Sequence, residues 1–234
     1  MESLYSPLEN VNFQKLIEAV PLFTQLPEDS LQKVTSHLVV RSHVVNQVIL
    51  LENDWGSSVY FILNGWIKIR THNLDGKEIT LNILGKGELF GEMAALEEVP
   101  RSTDALTLTP ATIATIPAQD FLKLLDNEPI AGVYLTKLMA RRLRQVNRRL
   151  RLREADSLSR VADAILFLVN GQGKKGAKGY EIPNLPHREI SSLSGLARET
   201  VTRALTKLER KKLIRREGDL IFIPDVIALE RTID

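Results

Sequence analysis

Between Val39 and Ile116 apolar and polar positions alternate in short runs, among them Val59-Tyr60-Phe61-Ile62-Leu63, Trp66-Ile67-Lys68-Ile69-Arg70 and Ile79-Thr80-Leu81-Asn82-Ile83. Asn64-Gly65, Asp75-Gly76 and Gly85-Lys86-Gly87 separate them. Period-2 runs of this length, divided by turn dipeptides, predict short strands joined by hairpins, an antiparallel sandwich or roll. Upstream, Pro27-Glu28-Asp29-Ser30-Leu31 predicts the start of a helix, with acidic side chains placed to complement its dipole.

After Ile116 the period lengthens. Helix formers run from about Gln119 to Asp156, interrupted near Pro129 and Gly132, and Met139, Leu143, Val146 and Leu150 fall at spacings of four, three and four. That a/d seam predicts a parallel dimer contact, the alternative being that the stripe packs on the chain's own roll. Ser157 or Ser159 is expected to cap the next helix, Leu158 to Val169, making the junction a hinge. The Gly- and Lys-rich stretch 170–179 reads as a flexible, solvated loop, since it lacks both the GxxxxGK[ST] order and the preceding strand of a phosphate cradle.

Residues His187 to Leu208 then give a helix over Arg188–Leu193, a turn at Gly195, and a second helix from about Arg198 with Val201, Ala204, Leu205 and Leu208 on one face. The inward stripe leaves Arg198, Glu199, Thr202 and Arg203 outward, which is helix-turn-helix order. Arginine donates two hydrogen bonds to guanine O6 and N7, and a carboxylate accepts from cytosine N4, so this face suits the major groove. Leu213 to Ile223 reads as a hairpin turning near Glu217-Gly218, making the module a winged helix-turn-helix. Arg188, Lys207, Arg210, Lys211 and Lys212 are candidates for phosphate contacts.

Composition sharpens this picture. Residues 1–128 carry 9 Lys/Arg against 17 Asp/Glu, residues 129–234 carry 22 against 12, so formal charges of about −8 and +10 divide the chain. A polyanion is the expected partner of the second half. There is no cysteine, which removes disulfides, zinc-thiolate sites and thiol catalysis, and the four histidines lack metal-ligand spacing. No run approaches the roughly 18 apolar residues of a membrane span, and the amino terminus does not read as a signal peptide, so no membrane partner and a cytoplasmic location are expected. An enzyme built on Glu88/Glu92 or on Ser102 finds no oriented base and is set aside.

The second half resembles the Crp/Fnr family of transcription regulators, whose recognition helix also runs Arg-Glu-Thr-Val-x-Arg, here Arg198 to Arg203. The resemblance extends over nearly the whole chain but is silent on residues 1–19. It implies an α+β protein: an N-terminal extension (1–19), a cyclic-nucleotide-binding type antiparallel β-roll (20–128), a dimerisation helix and hinge (129–156) and a winged helix-turn-helix (157–234). It further implies a homodimer on double-stranded DNA with TGTGA-like half-sites read by Arg198, Glu199 and Arg203. Arg188 and Thr200 would hold phosphates, with RNA polymerase and another transcription regulator as protein partners.

Within the roll, Gly87-Glu88-Leu89-Phe90-Gly91-Glu92-Met93-Ala94-Ala95-Leu96, followed by Arg101-Ser102-Thr103, resembles the family's phosphate-binding cassette. The resemblance puts a cyclic phosphate on Arg101, with Ser102 and the amides of Gly91 and Glu92 completing the cradle. The ribose falls to Glu92, and Met93 and Thr103 flank the ligand. A permanent cation and a hydroxyl-accepting carboxylate match such a ligand chemically. The Thr-Ser pair that meets adenine in the family is missing, leaving Gln145 or Asn147 for that edge. Seven arginines between 141 and 153 make cyclic di-GMP a competitor to cyclic AMP as effector, and another metabolite remains open. The remaining alternative is a member with a vestigial pocket, acting without ligand or through a partner regulator.

Overall fold

The computed structural model describes residues 13–76, 78–176 and 179–233, which pack as two compact units. Of the predicted N-terminal extension, residues 1–12 lie outside the described residues.

The first unit holds the residues up to Thr71 together with Ile83–Leu138. In it α1 (Phe13–Ala19) and α2 (Glu28–Thr35) precede β1 (Val39–His43), β2 (Val48–Leu50), β3 (Ser58–Asn64), β4 (Ile67–His72), the last two residues of β5 (Glu78–Leu84) and β6 (Leu89–Phe90). There follow α3 (Glu92–Glu97), β7 (Asp104–Thr107), β8 (Ala111–Pro117), α4 (Ala118–Asn127) and the start of α5 (Pro129–Arg151). Two four-stranded antiparallel sheets result, ordered β1-β8-β3-β6 and β2-β7-β4-β5. The alternation of β3 sends Val59 and Phe61 fully inward, and Phe61 packs between Phe23 at 4.9 Å and Phe121 at 6.4 Å. Ile62, Ile67, Leu84, Phe90, Ala105, Ala111 and Ile113 form a further buried cluster. The predicted long helix breaks at the extended Glu128, and Pro129, whose missing N–H costs nothing at a first helical position, starts α5.

The second unit holds His72–Asn82 and Met139–Asp234. It contains the remainder of α5, then α6 (Ser157–Gln172), β9 (Lys174–Gly176), β10 (Gly179–Pro183), α7 (His187–Ser194), α8 (Arg198–Arg210), β11 (Arg215–Glu217), β12 (Leu220–Ile223) and α9 (Val226–Glu230). Val161, Ala162, Ile165 and Leu168 of α6 are buried with Ile190 of α7 and Val201, Leu205 and Leu208 of α8. The cap of α6 is Asp156, whose carboxylate accepts from Ser159 N–H at 2.8 Å, rather than either serine.

The stretch expected to be a loop is ordered differently. α6 runs to Gln172, and Lys174–Gly176 forms a strand paired to β10 through Gly179↔Gly176, Tyr180↔Lys175 and Glu181↔Lys174. β10 is itself fixed by β12, from Tyr180↔Ile223 to Pro183↔Leu220, and so offers an edge to which these polar residues add. The sheet order is β11-β12-β10-β9. No helix among the described residues is long and apolar enough to cross a membrane.

Candidate effector cradle and nucleic-acid interface

β6 is followed by Gly91, whose φ of 80° lies in the left-handed region that a side chain disfavours, and α3 begins immediately after it. Across from it sits Arg101, 4% exposed. Its backbone is held on both sides: Arg101 N–H donates to Asp54 O at 2.8 Å, and Asn53 N–H donates to Arg101 O at 2.8 Å. The guanidinium donates through Nη1 to Gly91 O at 2.5 Å and through Nη2 to Ser58 O at 2.8 Å, with Cζ 5.8 Å from the Tyr60 ring centroid. Gly56 and Gly91 make the slot: a Cβ on Gly56 would lie 2.4 Å from Nη2, and one on Gly91 2.8 Å from Nη1.

One nitrogen makes no hydrogen bond at all. Arg101 Nε is buried without a hydrogen-bond partner among the described residues, and a buried donor on a permanent cation is costly to leave unmatched. An anionic oxygen supplies both the acceptor and the countercharge, so the cassette fits a phosphodiester. Glu92 is 2% exposed on the first turn of α3. Met93 and Ser102 are exposed and Thr103 is half-buried, in the same unit.

Gln145 and Asn147 belong to the second unit, half-buried and exposed respectively on the far part of α5. Two arginines of that stretch are engaged internally, which the sequence reading missed. Arg148 pairs with Asp163 and reaches Glu230 at 3.6 Å, and Arg149 lies 4.4 Å above the Phe167 ring. Burial lowers the Arg149 pKa, and Asp163 partly opposes that shift. Asp163 and Phe167 sit one turn apart on α6, an acid-aromatic pair that only folding brings under the arginines. Along the predicted seam Met139 is half-buried, while Leu143, Val146 and Leu150 are exposed at 61%, 48% and 61%.

The helix-turn-helix is built from local rules. α7 stops at Gly195, left-handed at φ 65°, and Arg160 of α6 caps its last carbonyls, with Nε and Nη2 donating to Ser194 O at 3.0 and 2.6 Å. α8 then buries Val201, Ala204, Leu205 and Leu208 and leaves Arg198, Glu199, Thr202 and Arg203 exposed. Thr200 is half-buried and accepts from Arg203 Nη2 at 3.4 Å. Arg188 is exposed and pairs with the buried Glu189 at 2.9 Å.

A polar relay also escaped the sequence reading. His187 Nδ1 lies 2.9 Å from Thr202 Oγ1, which donates to Arg198 O at 3.0 Å, and His187 Nε2 lies 3.3 Å from Arg216 Nη1. Arg216 is paired with Glu209. Burial, then Arg216 and Arg198, push the His187 pKa below its ordinary value, whereas Arg216 lowers that of Glu209.

The chain is similar to known proteins. The cyclic nucleotide-binding domain family matches residues 40–128, and the Crp-like helix-turn-helix domain family matches residues 159–232. The cyclic AMP receptor protein of Thermus thermophilus is 31% identical over 212 residues, 90% of this chain and 95% of the relative. The CRP-like cAMP-activated global transcriptional regulator of Mycobacterium tuberculosis is 27% identical over 219 residues, 93% of this chain and 98% of the relative. FixK2 from Bradyrhizobium japonicum shares the fold with a TM-score of 0.72 at 20% identity, covering 83% of this chain and 96% of that one. The c-di-GMP responsive regulator CLP of Xanthomonas campestris does so with 0.65 at 20% identity, covering 85% and 100%.

Proposed function

We propose, on the premise that the chain belongs to the Crp/Fnr family of transcription regulators, that it is a homodimer whose grip on a two-fold symmetric, TGTGA-like DNA site is set by a cyclic mononucleotide, cyclic AMP in the first place. The observation that carries the effector half of this reading is the unmatched Arg101 Nε in a slot walled by two glycines. It asks for one anionic group. The arginines that made a two-phosphate ligand attractive are in part engaged elsewhere, Arg148 by Asp163 and Arg149 by Phe167, which favours a ligand with a single phosphate over cyclic di-GMP.

When bound, the nucleotide supplies the countercharge for Arg101, with Glu92 as the acceptor for a ribose hydroxyl. The exposed stripe of Leu143, Val146 and Leu150 is the surface a second copy would cover. In the DNA-competent dimer the two α8 helices stand about one helical turn apart, roughly 34 Å. The effector acts by favouring that arrangement over others already populated. Arg198, Glu199 and Arg203 read base edges, and Arg188 and Thr200 hold phosphates.

Calorimetric titration of the full chain and of Arg101→Ala with cyclic AMP, cyclic GMP and cyclic di-GMP tests the effector. Heat with cyclic AMP that vanishes in Arg101→Ala is the expected result. Silence with all three nucleotides overturns it, and tighter binding of cyclic di-GMP reassigns the ligand. Gel shifts on symmetric TGTGA-like DNA, with Arg198→Ala as the control, test the DNA half.

A further inference from the structure

Thr202 stands on the exposed face of α8 with its hydroxyl already committed. Its proton goes to the carbonyl of Arg198, one turn back, at 3.0 Å. On the other side the proton arrangement follows from the partners. Arg216 is a donor only, so His187 Nε2, 3.3 Å from its Nη1, is the acceptor; the ring proton therefore sits on Nδ1 and is donated to Thr202 Oγ1 at 2.9 Å. Arg216 is held in place by Glu209, through its side chain and its backbone N–H. The wing, the first helix of the motif and the recognition helix are thus joined by one hydrogen-bond chain that ends on this hydroxyl. A threonine so engaged cannot donate to guanine O6 or N7, adenine N7 or thymine O4. The part without a hydrogen-bonding role is its methyl group, and the apolar mark in the major groove is the thymine C5-methyl.

We infer that Thr202 is a specificity residue that reads a thymine through methyl contact, and that His187 is the positioning residue that holds it in that rotamer. The inference rests on α8 being the DNA-reading helix, and it makes His187 an indirect reader of sequence.

The test starts from the duplex most enriched by the full-length protein from a random-sequence pool, in the presence of cyclic AMP and again without nucleotide. Each thymine is then replaced singly by deoxyuridine, which removes only the C5-methyl, and affinity is measured by fluorescence anisotropy. The inference expects one thymine per half-site at which the replacement weakens wild-type binding about fourfold, the factor for burying one methylene-sized group. Thr202→Val retains that ratio, Thr202→Ser brings it to about one, and His187→Ala lowers it while the dependence of affinity on salt is preserved. Each ratio is taken within one protein preparation, so a loss of folded fraction cancels. A wild-type protein indifferent to every thymine-to-deoxyuridine change, while binding its duplex tightly, overturns the assignment and leaves the DNA-binding reading intact. Thymine discrimination that survives in Thr202→Ser overturns it equally. Failure to enrich any duplex removes both readings.

Discussion

Gly56→Ala isolates the geometry of the effector cradle without altering a charge. Gly56 is outside the left-handed region of φ, so alanine brings no strain of that kind. Its Cβ would however lie 2.4 Å from Arg101 Nη2, 2.5 Å from Nε and 2.8 Å from Cζ. Contacts of that kind need more than 3.0 Å, so the guanidinium must retreat by at least about half an ångström, which disturbs the 2.8 Å bond from Nη2 to Ser58 O. A hydrogen bond to a charged group contributes about 1.5–3 kcal/mol. Losing most of one lowers the stability of the ligand-free protein by about 1–2 kcal/mol, and misplacing the cation against a phosphate weakens nucleotide binding by about ten- to a hundredfold. Thermal unfolding reads the first effect and calorimetric titration with cyclic AMP the second. Gly132→Ala, where a Cβ meets nothing within 4 Å, is the control; in a helix interior it should stabilise by about 0.5–1 kcal/mol. If Gly56→Ala melts and binds like the wild type, the guanidinium does not occupy this slot and the cradle argument fails.

Arg198→Ala should cost about 1–3 kcal/mol of specific DNA affinity and relax preference at one base pair per half-site, as read by competition binding. Leu150→Lys places a cation on a side chain already 61% exposed in the single chain. It should leave monomer folding intact yet shift the dimer to monomer in sedimentation, and an unchanged dimer would contradict the seam. For His187 the folded pKa is depressed, so the unfolded chain binds the proton more readily. The stability this histidine contributes is complete above the unfolded pKa of about 6.5 and is lost as pH falls from there through the lower folded value. Denaturant unfolding across pH 7 to 5 should therefore show an acid-side loss that is reduced in His187→Gln.

Much of this was legible in the sequence because it is local. Alternation with turn dipeptides marks the strands of the roll, and Gly195 between two amphipathic runs marks the helix-turn-helix. The cassette is a contiguous stretch in which Gly91 and Arg101 are ten residues apart. What escaped depends on partners supplied by distant segments. Lys174–Gly176 becomes a strand only because β12 has already fixed β10. Arg148 and Arg149 look like surplus surface charge until α6 brings Asp163 and Phe167 beneath them. Asp156 displaced both serines as a cap although all three are suitable residues, a choice made by backbone direction rather than residue type. His187 and Thr202 are 15 residues apart on separate helices, and no periodicity links a histidine at the start of one to a threonine on the other.

The double anchorage of Arg101 bears on how effectors are told apart. An arginine free in solution surrenders about 2 kcal/mol of rotamer entropy when a ligand immobilises it. Here Asn53, Asp54, Gly91 and Ser58 have immobilised it beforehand. A stiff cation of this sort gains little by adapting to whichever anion arrives; it presents a fixed plane at a fixed depth, and misfitting anions are turned away by shape. Inherited change in effector preference is then expected in the walls around the plane, at positions such as Met93 and Thr103, while the arginine and its two flanking glycines stay as they are.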